Sequence, residues 1–478
     1  MRRVAIVGTG PSGFYTAKYL LRALETIKID LIDQLPTPFG LVRSGVAPDH
    51  PEVKSVEGDF SNVAADERVR FMGNVTLGTD VDLSELRRCY DGVVLAYGAD
   101  GDNRLGIPGE ALDGVLSARE FVHWYNGHPD FTPDRGFDPT PLLDSTETVV
   151  IVGQGNVAVD CARVLGKSVD SLRTTDIAAH ALEALSQSRV KRIVCVGRRG
   201  HVQAAMTMKE LRELTKLGPE CFLRLHAAEL DAGLTDASLE EIKTQRATKR
   251  MDKLLRSHLE ATAGMAEADD VAAHRRAIEL RFLLSPIAIE PAADPNPNEN
   301  RVGRVDLERN VLVGEAGQIR AVAAADVPLE SIECGMVLRS IGYRSSAADA
   351  SVPFDDARGV VPSARGRILA SAADGAASLA GTYCAGWLKR GPSGIIGTNI
   401  PDAVETVDAL VADSSSGAFE AGNDAALAAL EKRLAPQLVE WGGFCRINTR
   451  EVEHGAPLGK PREKIVHRHE LLDVANNS

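Results

Sequence analysis

The feature that most constrains the fold lies at the start of the chain. Four apolar residues, 4–7, predict a short buried strand, and the turn after it has glycines at positions 8, 10 and 13. From Phe14 onward, apolar residues recur at helical spacing. A strand, a G-x-G-x-x-G turn and a helix in this order predict dinucleotide binding. Gly8 permits the tight turn, Gly10 lets the backbone approach a pyrophosphate, and Gly13 allows close packing of the helix. A glycine turn without a ligand is the alternative.

An acid and a rigid loop follow this first motif. Asp33 ends the next predicted strand, where a carboxylate can hydrogen-bond the ribose of a dinucleotide. Residues 36–51 are rich in proline and glycine, which predicts an irregular, stiff loop. Because this loop follows a dinucleotide-binding strand, we expect it to form a wall of the cofactor site rather than a surface linker.

The motif of a strand, a glycine-rich turn and a helix occurs a second time at residues 149–160, now as G-x-G-x-x-A. The next strand ends in Arg198 and Arg199, where an NAD-binding fold would place a carboxylate. Guanidinium groups bind phosphate through paired hydrogen bonds, so these arginines predict NADP rather than NAD. Two solvated surface arginines are the alternative. The chain is therefore predicted to be α/β, with two Rossmann-like dinucleotide-binding domains that hold a flavin and a nicotinamide nucleotide.

Composition and charge narrow the possible partners. A length of 478 residues predicts two or three domains. The net charge of −13 argues against nucleic acid as the main partner. No apolar run approaches the roughly 20 residues that a membrane span needs, and no targeting segment is recognisable, so the cytoplasm is the expected location. The seven cysteines lie far apart without a C-x-x-C pair, which argues against a zinc site, an iron–sulfur cluster and a redox disulfide.

Two further stretches are candidates for function. Between Lys243 and Arg256, six basic residues stand against one acid, which indicates either a solvated helix face or a docking patch for an acidic partner. Near the C-terminal third, a predicted strand ends at Trp387 and a glycine-rich loop follows. Trp387 is either a core anchor or a contact for a flavin or nicotinamide ring.

Three runs of the sequence resemble the adrenodoxin reductase family, whose bacterial members are NADPH–ferredoxin reductases. They are PTPFGLVRSGVAPDHP at 36–51, VGRRG at 196–200 and GWLKRGPSGIIGTN at 386–399. The resemblance implies a discontinuous FAD-binding domain made of both chain ends, with the NADP-binding domain inserted. The implied segments are 1–105 and 333–435 for FAD, 106–332 for NADP, and 436–478 as a C-terminal extension.

Matched residue by residue, the resemblance implies two sets of cofactor contacts. Besides the glycines of the first turn, the FAD contacts are Ser12, Asp33, Leu41, Leu77, Trp387, Gly394, Ile395 and Ile396. The NADP contacts are Gln154, Gly155, Asn156, Val157, Arg198, Arg199 and Glu210, with Gly394 touching both cofactors. Asp33 stands where the family commonly has glutamate. Its shorter side chain therefore reaches the ribose only if the strand end shifts or a water bridges the gap.

The implied activity is electron transfer from NADPH through FAD to a [2Fe–2S] or similar ferredoxin, which then supplies a haem monooxygenase or a similar acceptor. An FAD- and NADPH-dependent monooxygenase, or another flavoprotein reductase with two dinucleotide domains, is the alternative. His50 and Asp160 are candidate catalytic residues that would orient the cofactors or handle the proton at flavin N5. A plain loop histidine and a carboxylate favoured by a helix dipole are the alternatives for these two residues.

The resemblance also implies a docking surface. Arg212, Lys249 and Arg250 match basic positions that family members offer to an acidic ferredoxin. A disulfide reductase of similar design is disfavoured, because the dispersed cysteines provide no redox pair.

Overall fold

The computed structural model describes residues 2–218, 220–263, 276–293, 300–419 and 421–477. In chain order its strands are β1 Arg3–Val7, β2 Lys28–Asp33, β3 Val69–Gly73, β4 Gly92–Leu95, β5 Gly101–Asp102, β6 Val115–Ser117, β7 Thr148–Val152, β8 Arg192–Gly197, β9 Cys221–Leu225, β10 Arg276–Phe282, β11 Leu284–Pro291, β12 Val302–Val313, β13 Arg320–Ala323, β14 Glu330–Glu333, β15 Met336–Arg339, β16 Tyr343–Arg344, β17 Ser363–Ala364, β18 Arg367–Leu369 and β19 Ser378–Cys384.

The α-helices are α1 Pro11–Ala23, α2 Leu41–Ser44, α3 Pro51–Lys54, α4 Val56–Ala64, α5 Leu83–Cys89, α6 Ala118–Tyr125, α7 Thr140–Ser145, α8 Asn156–Gly166, α9 Val169–Arg173, α10 Ala179–Gln187, α11 Met208–Leu214, α12 Ala227–Ala232, α13 Asp236–Thr244, α14 Arg246–Thr262, α15 Trp387–Arg390, α16 Asn399–Ser416, α17 Asp424–Leu434, α18 Trp441–Gly455 and α19 Arg468–Asn476. Short 3₁₀ helices span Pro133–Arg135, His201–Gln203, Ile396–Thr398 and Ala456–Leu458.

The chain divides into two compact units. Unit 1 comprises residues 1–103 and 342–478, and unit 2 comprises residues 104–341. The sequence predicts the second division after residue 332, whereas the structure has it after residue 341. The difference arises from β15, which pairs in parallel with β6 and β7 and therefore belongs to the sheet of unit 2.

Unit 1 is built on a seven-stranded sheet in the order β17-β18-β19-β4-β1-β2-β3. The central strand β1 is parallel to both β2 and β4. Its side chains alternate between two cores: Val4 and Ile6 pack on one face with the helix residue Phe14, and Ala5 and Val7 pack on the other. Burial on both faces explains why this strand is a continuous apolar run.

Unit 2 repeats this plan with a six-stranded parallel sheet in the order β6-β15-β7-β8-β10-β9. Val149 and Ile151 of β7 face one core, and Val150 and Val152 face the other. A second, antiparallel sheet of β11, β12, β13 and β14 contributes to that other core. Each G-x-G turn thus follows the carboxyl end of a central parallel strand, which is the usual ligand position in such folds.

The tail from residue 436 is part of unit 1. Val439 exchanges backbone hydrogen bonds with Gly73 at the end of β3, at 2.8 and 3.0 Å. Phe444 and Ile447 of α18 belong to the same core as Phe14. The sequence predicts only an extension here, because a local pattern does not show which distant strand a segment covers. Among the described residues, no helix is both long and apolar enough to cross a membrane.

Candidate dinucleotide sites

The turn after β1 has the geometry that its glycines predict. Gly8 has a φ of +103°, and its N–H donates to the Ile32 carbonyl at 2.7 Å. A side chain at Gly8 would be strained in this conformation. At Gly13, a Cβ atom would overlap the Gly8 carbonyl oxygen, so only glycine lets α1 begin this close to β1.

The start of α1 offers room and donors to an anion. A Cβ placed on Gly10 would have no atom within 4 Å, so space is open beside the backbone. Within the described residues, no side chain caps the helix, and its first turn has no acid. Ser12 Oγ is buried and has no hydrogen-bond partner in that part of the chain. A buried hydroxyl beside free helix amides fits a dinucleotide phosphate.

Asp33 is tied to the same turn. Its carboxylate accepts from Thr9 N at 2.9 Å, from Thr9 Oγ1 at 2.5 Å and from Leu35 N at 3.0 Å. Burial raises the pKa of Asp33, and these hydrogen bonds oppose that rise. The side chain therefore fixes the end of β2 against the glycine turn. Its contact with a ribose, which the resemblance implies, stays a prediction.

The loop 36–51 lies beside this turn. Phe39 has a φ of +84°, and its N–H donates to the Thr9 carbonyl at 3.0 Å. Leu41 begins α2 and is half-buried, while Leu77 is buried in the core with Val7. The loop thus has the position that a cofactor wall requires.

The glycine-rich loop of the C-terminal third also approaches the turn. A Cβ at Gly386 would lie 2.6 Å from Ser12 Oγ, which places the end of β19 against the start of α1. The half-buried Trp387 donates from Nε1 to the Ser393 carbonyl at 3.1 Å. Among the predicted FAD contacts that follow it, two are exposed and one is half-buried: Gly394, Ile395 and Ile396.

The second glycine turn, in unit 2, repeats these features. Gly155 is as open as Gly10, and α8 begins there without a side-chain cap or an acid in its first turn among the described residues. The Gln154 amide is turned inward, since it donates to the Cys195 and Arg281 carbonyls at 3.1 and 2.8 Å. The Asn156 side chain accepts from Thr207 N at 2.9 Å. The Gln154 Nε2 and Asn156 Oδ1 atoms thus already have partners within unit 2, and contacts of these residues with NADP stay predictions.

Val157 is half-buried and packs its side chain against the core of unit 2, and its contact with NADP stays a prediction.

Arg198 and Arg199 follow β8 directly. Arg198 is exposed and Arg199 is half-buried. Neither guanidinium has a hydrogen-bond or ion-pair partner in the part of the chain that the structure describes. Two free cations at this strand end, in a unit whose glycine turn is open, fit the 2′-phosphate of NADP.

The chain is similar to several known proteins. Residues 2–195 match the family model described as pyridine nucleotide-disulphide oxidoreductase. The mitochondrial NADPH:adrenodoxin oxidoreductase of Arabidopsis thaliana is 45% identical over 478 residues, which cover 99% of this chain and 95% of that protein. NADPH-ferredoxin reductase FprA of Mycobacterium tuberculosis is 40% identical, with 98% of each chain covered. The solved structure of that FprA with NADPH matches with a TM-score of 0.86 and 38% identity over the whole of both chains.

The chain belongs to the adrenodoxin reductase family. The resemblance drawn from the three sequence runs is thereby confirmed, as are the α/β fold class and the prediction of an oxidoreductase that uses FAD and NADP(H).

Within this family member, two acids predicted from the sequence share one partner. The guanidinium of Arg163, which is fully buried, donates from Nη1 to Glu210 Oε2 at 2.7 Å and to Asp160 Oδ1 at 2.9 Å. Glu213 Oε2 lies 3.0 Å from the same nitrogen. A buried cation needs such partners, so Arg163 fixes the acids that surround it. The sequence analysis missed Arg163, and its one signal was the three-residue spacing from Asp160.

The structure places the two candidate catalytic residues in different units of the family fold. His50 lies in unit 1, buried at the start of α3, with its N–H donating to the Ala47 carbonyl at 3.0 Å. Asp160 lies in unit 2 on α8, held by Arg163. Their joint role stays a prediction.

The C-terminal tail contributes a charge cluster that the sequence analysis missed. Glu451 of α18 has no exposed surface, and its carboxylate accepts two hydrogen bonds from Arg43 at 2.5 and 3.0 Å. Arg462 approaches the same carboxylate at 3.3 Å, and Lys464 Nζ donates to the Arg43 carbonyl at 3.1 Å. Burial opposes ionisation of Glu451, but Arg43 and Arg462 outweigh it and lower its pKa. The tail thus contacts the loop 36–51 through Arg43. The run of charges at 460–464 was the only local signal of this contact.

The cysteines of this family member are all free thiols, and six of the seven are buried. Burial raises the pKa of Cys195 to about 12, so its thiol stays protonated at neutral pH. That no redox disulfide takes part stays a prediction.

Proposed function

We propose that this protein oxidises NADPH and passes the electrons through FAD to an acidic ferredoxin of the [2Fe–2S] or a similar type. The observation that carries the proposal is the pair of free guanidiniums of Arg198 and Arg199 beside β8, in a unit whose glycine turn is open. When bound, the cofactors supply the redox chemistry, in which NADPH gives two electrons together and FAD releases them one at a time.

Under this proposal, the residues of the chain bind FAD and NADPH and orient them. Ser12 and the start of α1 receive the phosphates of FAD, and Arg198 and Arg199 receive the 2′-phosphate of NADPH. Arg163 holds Asp160 and Glu210 in place. Any proton that must be held near the flavin falls to His50 or Asp160.

The proposed docking surface lies on unit 2, and three observations support it. Arg212 on α11 and Lys249 and Arg250 on α14 are exposed, and α11 packs against α14. None of the three has an ion-pair partner in the described residues. Arg212 also lines a shallow cleft of about 280 Å³ together with Lys167, Lys209, Glu213 and Lys216. On a chain with a net charge of −13, this local positive surface suits an acidic partner.

The proposal is tested by stopped-flow reduction of the FAD-loaded protein with NADPH and with NADH, followed by cytochrome c reduction with and without a ferredoxin. We expect fast flavin bleaching with NADPH, slow bleaching with NADH, and cytochrome c turnover that requires the ferredoxin. Equal bleaching rates with both nucleotides would contradict the role of the arginines. Flavin reduction without an effect of ferredoxin would contradict the proposed acceptor.

The same assay tests the docking surface with the charge reversals Arg212→Glu, Lys249→Glu and Arg250→Glu. Each should raise the KM for ferredoxin, by about tenfold at low salt and less at high salt, because exposed charges are screened. Reduction of ferricyanide should be unchanged. The matched control is Lys432→Glu, at an exposed lysine of unit 1 on α17. An equal loss in the control would show that net charge, not this surface, matters.

We further propose a reducing, cytoplasmic location, which the free and mostly buried thiols support. Cell fractionation with an antibody against the protein tests it, and recovery in an organelle or envelope fraction would contradict it.

A further inference from the structure

The two arginines that follow β8 are held by their backbone. The Arg198 carbonyl accepts from Asn310 Nδ2 at 3.0 Å, and the Arg199 carbonyl accepts from Leu283 N at 3.1 Å. The guanidiniums of the two arginines have no partner among the described residues. The backbone hydrogen bonds are therefore what fixes the positions of the two Cα atoms, from which the side chains extend.

Leu283 has an unusual conformation at this point. It separates β10 from β11 and is buried, yet its φ is +58°, in the left-handed region that β-carbon-bearing residues rarely adopt. Its carbonyl accepts from Asn310 N at 2.8 Å, so the strained residue is bound on both sides. Strain of this kind persists only where the surroundings enforce it, and it concentrates at functional sites.

Asn310 connects these contacts. It lies in β12, it is buried, and its side-chain amide donates both to Arg198 O and to Ser285 Oγ, the latter at 2.8 Å. Loss of either acceptor would leave a buried N–H of this amide without a hydrogen bond, which costs free energy. We call Leu283, Ser285 and Asn310 the carbonyl clamp.

We propose that Asn310, through the carbonyl clamp, positions Arg198 and Arg199 and thereby sets the preference for a nucleotide with a 2′-phosphate. Each guanidinium can bind a phosphate through paired hydrogen bonds, and a fixed backbone at both arginines lowers the ordering cost of that binding. The inference rests on the proposed role of the two arginines. Asn310 is accordingly a positioning residue and touches no nucleotide itself.

The test compares the affinity of the FAD-loaded protein for NADP⁺ and for NAD⁺ by titration calorimetry, without turnover. Asn310→Leu removes the amide but introduces no charge. We expect it to raise the Kd for NADP⁺ by about tenfold, which is about 1.4 kcal/mol, and to leave the Kd for NAD⁺ nearly unchanged. Ser285→Ala, a milder change that removes one acceptor of the amide, should shift the Kd for NADP⁺ in the same direction by less.

The matched control is Asn126→Leu. Asn126 is also buried in unit 2, and its amide also donates to a backbone carbonyl, that of Val122 at 3.1 Å. We expect its NADP⁺ to NAD⁺ affinity ratio to equal that of the parent protein.

The possible failures are distinguishable. A parent protein that binds both nucleotides equally would overturn the role of the arginines and, with it, this inference. A parent that prefers NADP⁺ while Asn310→Leu and Ser285→Ala keep its ratio would overturn the carbonyl clamp alone. An equal fall of the ratio in Asn126→Leu would also overturn it, because the effect would then be general loss of packing.

Discussion

At the scale of single residues, the nucleotide preference should depend unequally on the two arginines. Arg199 is half-buried and Arg198 is exposed, so a hydrogen bond from Arg199 competes less with water. A charge-assisted bond contributes about 1.5–3 kcal/mol, so we expect Arg199→Leu to weaken binding of 2′,5′-ADP by about ten- to a hundredfold, and Arg198→Leu by less. Equilibrium dialysis with 2′,5′-ADP measures this directly.

The control for this prediction is Arg320→Leu, which removes an exposed arginine from β13 of the same unit. If it weakens binding of 2′,5′-ADP as much as Arg199→Leu does, general electrostatic attraction explains the affinity and no specific site is needed. The reverse order, with Arg198→Leu more harmful than Arg199→Leu, would contradict the argument from burial.

At the scale of elements, the local units were predictable and their long-range partners were not. The strand and glycine turn at 4–13 are recognisable because all of their determinants lie within a few residues. For β15, by contrast, nothing in the local sequence shows that the strand inserts between β6 and β7. The pair of Arg43 and Glu451 spans 408 residues, so no spacing rule could have found it. The inward turn of Gln154 likewise depends on the distant carbonyl of Arg281.

The contact of α18 with the loop 36–51 gives a prediction at this scale. Glu451→Gln removes the carboxylate that accepts two hydrogen bonds from the buried Arg43, and breaking a buried ion pair typically costs about 3–5 kcal/mol. We expect unit 1 to lose stability and to release FAD at a lower denaturant concentration, measured as the rise of free-flavin fluorescence during a urea titration.

The matched control for that titration is Glu85→Gln. It breaks the exposed ion pair between Glu85 of α5 and Arg433 of α17. A surface pair contributes about 1 kcal/mol or less, so FAD release should shift little. If Glu451→Gln lowered the urea concentration of FAD release no more than this control does, the contact of the tail would not stabilise the loop 36–51.

At the scale of the whole molecule, acid should destabilise both units. The pKa is lowered in Glu451 and Asp413 of unit 1 and in Glu279 and Glu330 of unit 2. For Glu451, Glu279 and Glu330 burial opposes ionisation, and neighbouring arginines, for Glu279 together with His226, outweigh it. For Asp413 the bond from Arg367 is the main cause. A carboxylate with a lowered folded-state pKa stabilises the fold above its unfolded-state pKa, and this stabilisation is lost as the pH falls toward the folded-state value.

The stabilisation by these four carboxylates should therefore be nearly constant from pH 7 to about pH 5 and should fall steeply below about pH 4.3, the ordinary glutamate pKa. His201, whose pKa is lowered by burial, should already cost stability below about pH 6.5. Because the chain has two units, one unfolding transition cannot be assumed for both, so flavin fluorescence and circular dichroism must be followed together.

Glu451→Gln provides the internal check. With one of these carboxylates already removed, flavin release should depend less on pH between pH 5 and 3 than in the parent protein. An unchanged slope would mean that Glu451 does not contribute to the acid response. In that case other carboxylates with a lowered pKa, such as Asp413, Asp66 and Glu405 of unit 1, would have to start the loss of flavin at low pH.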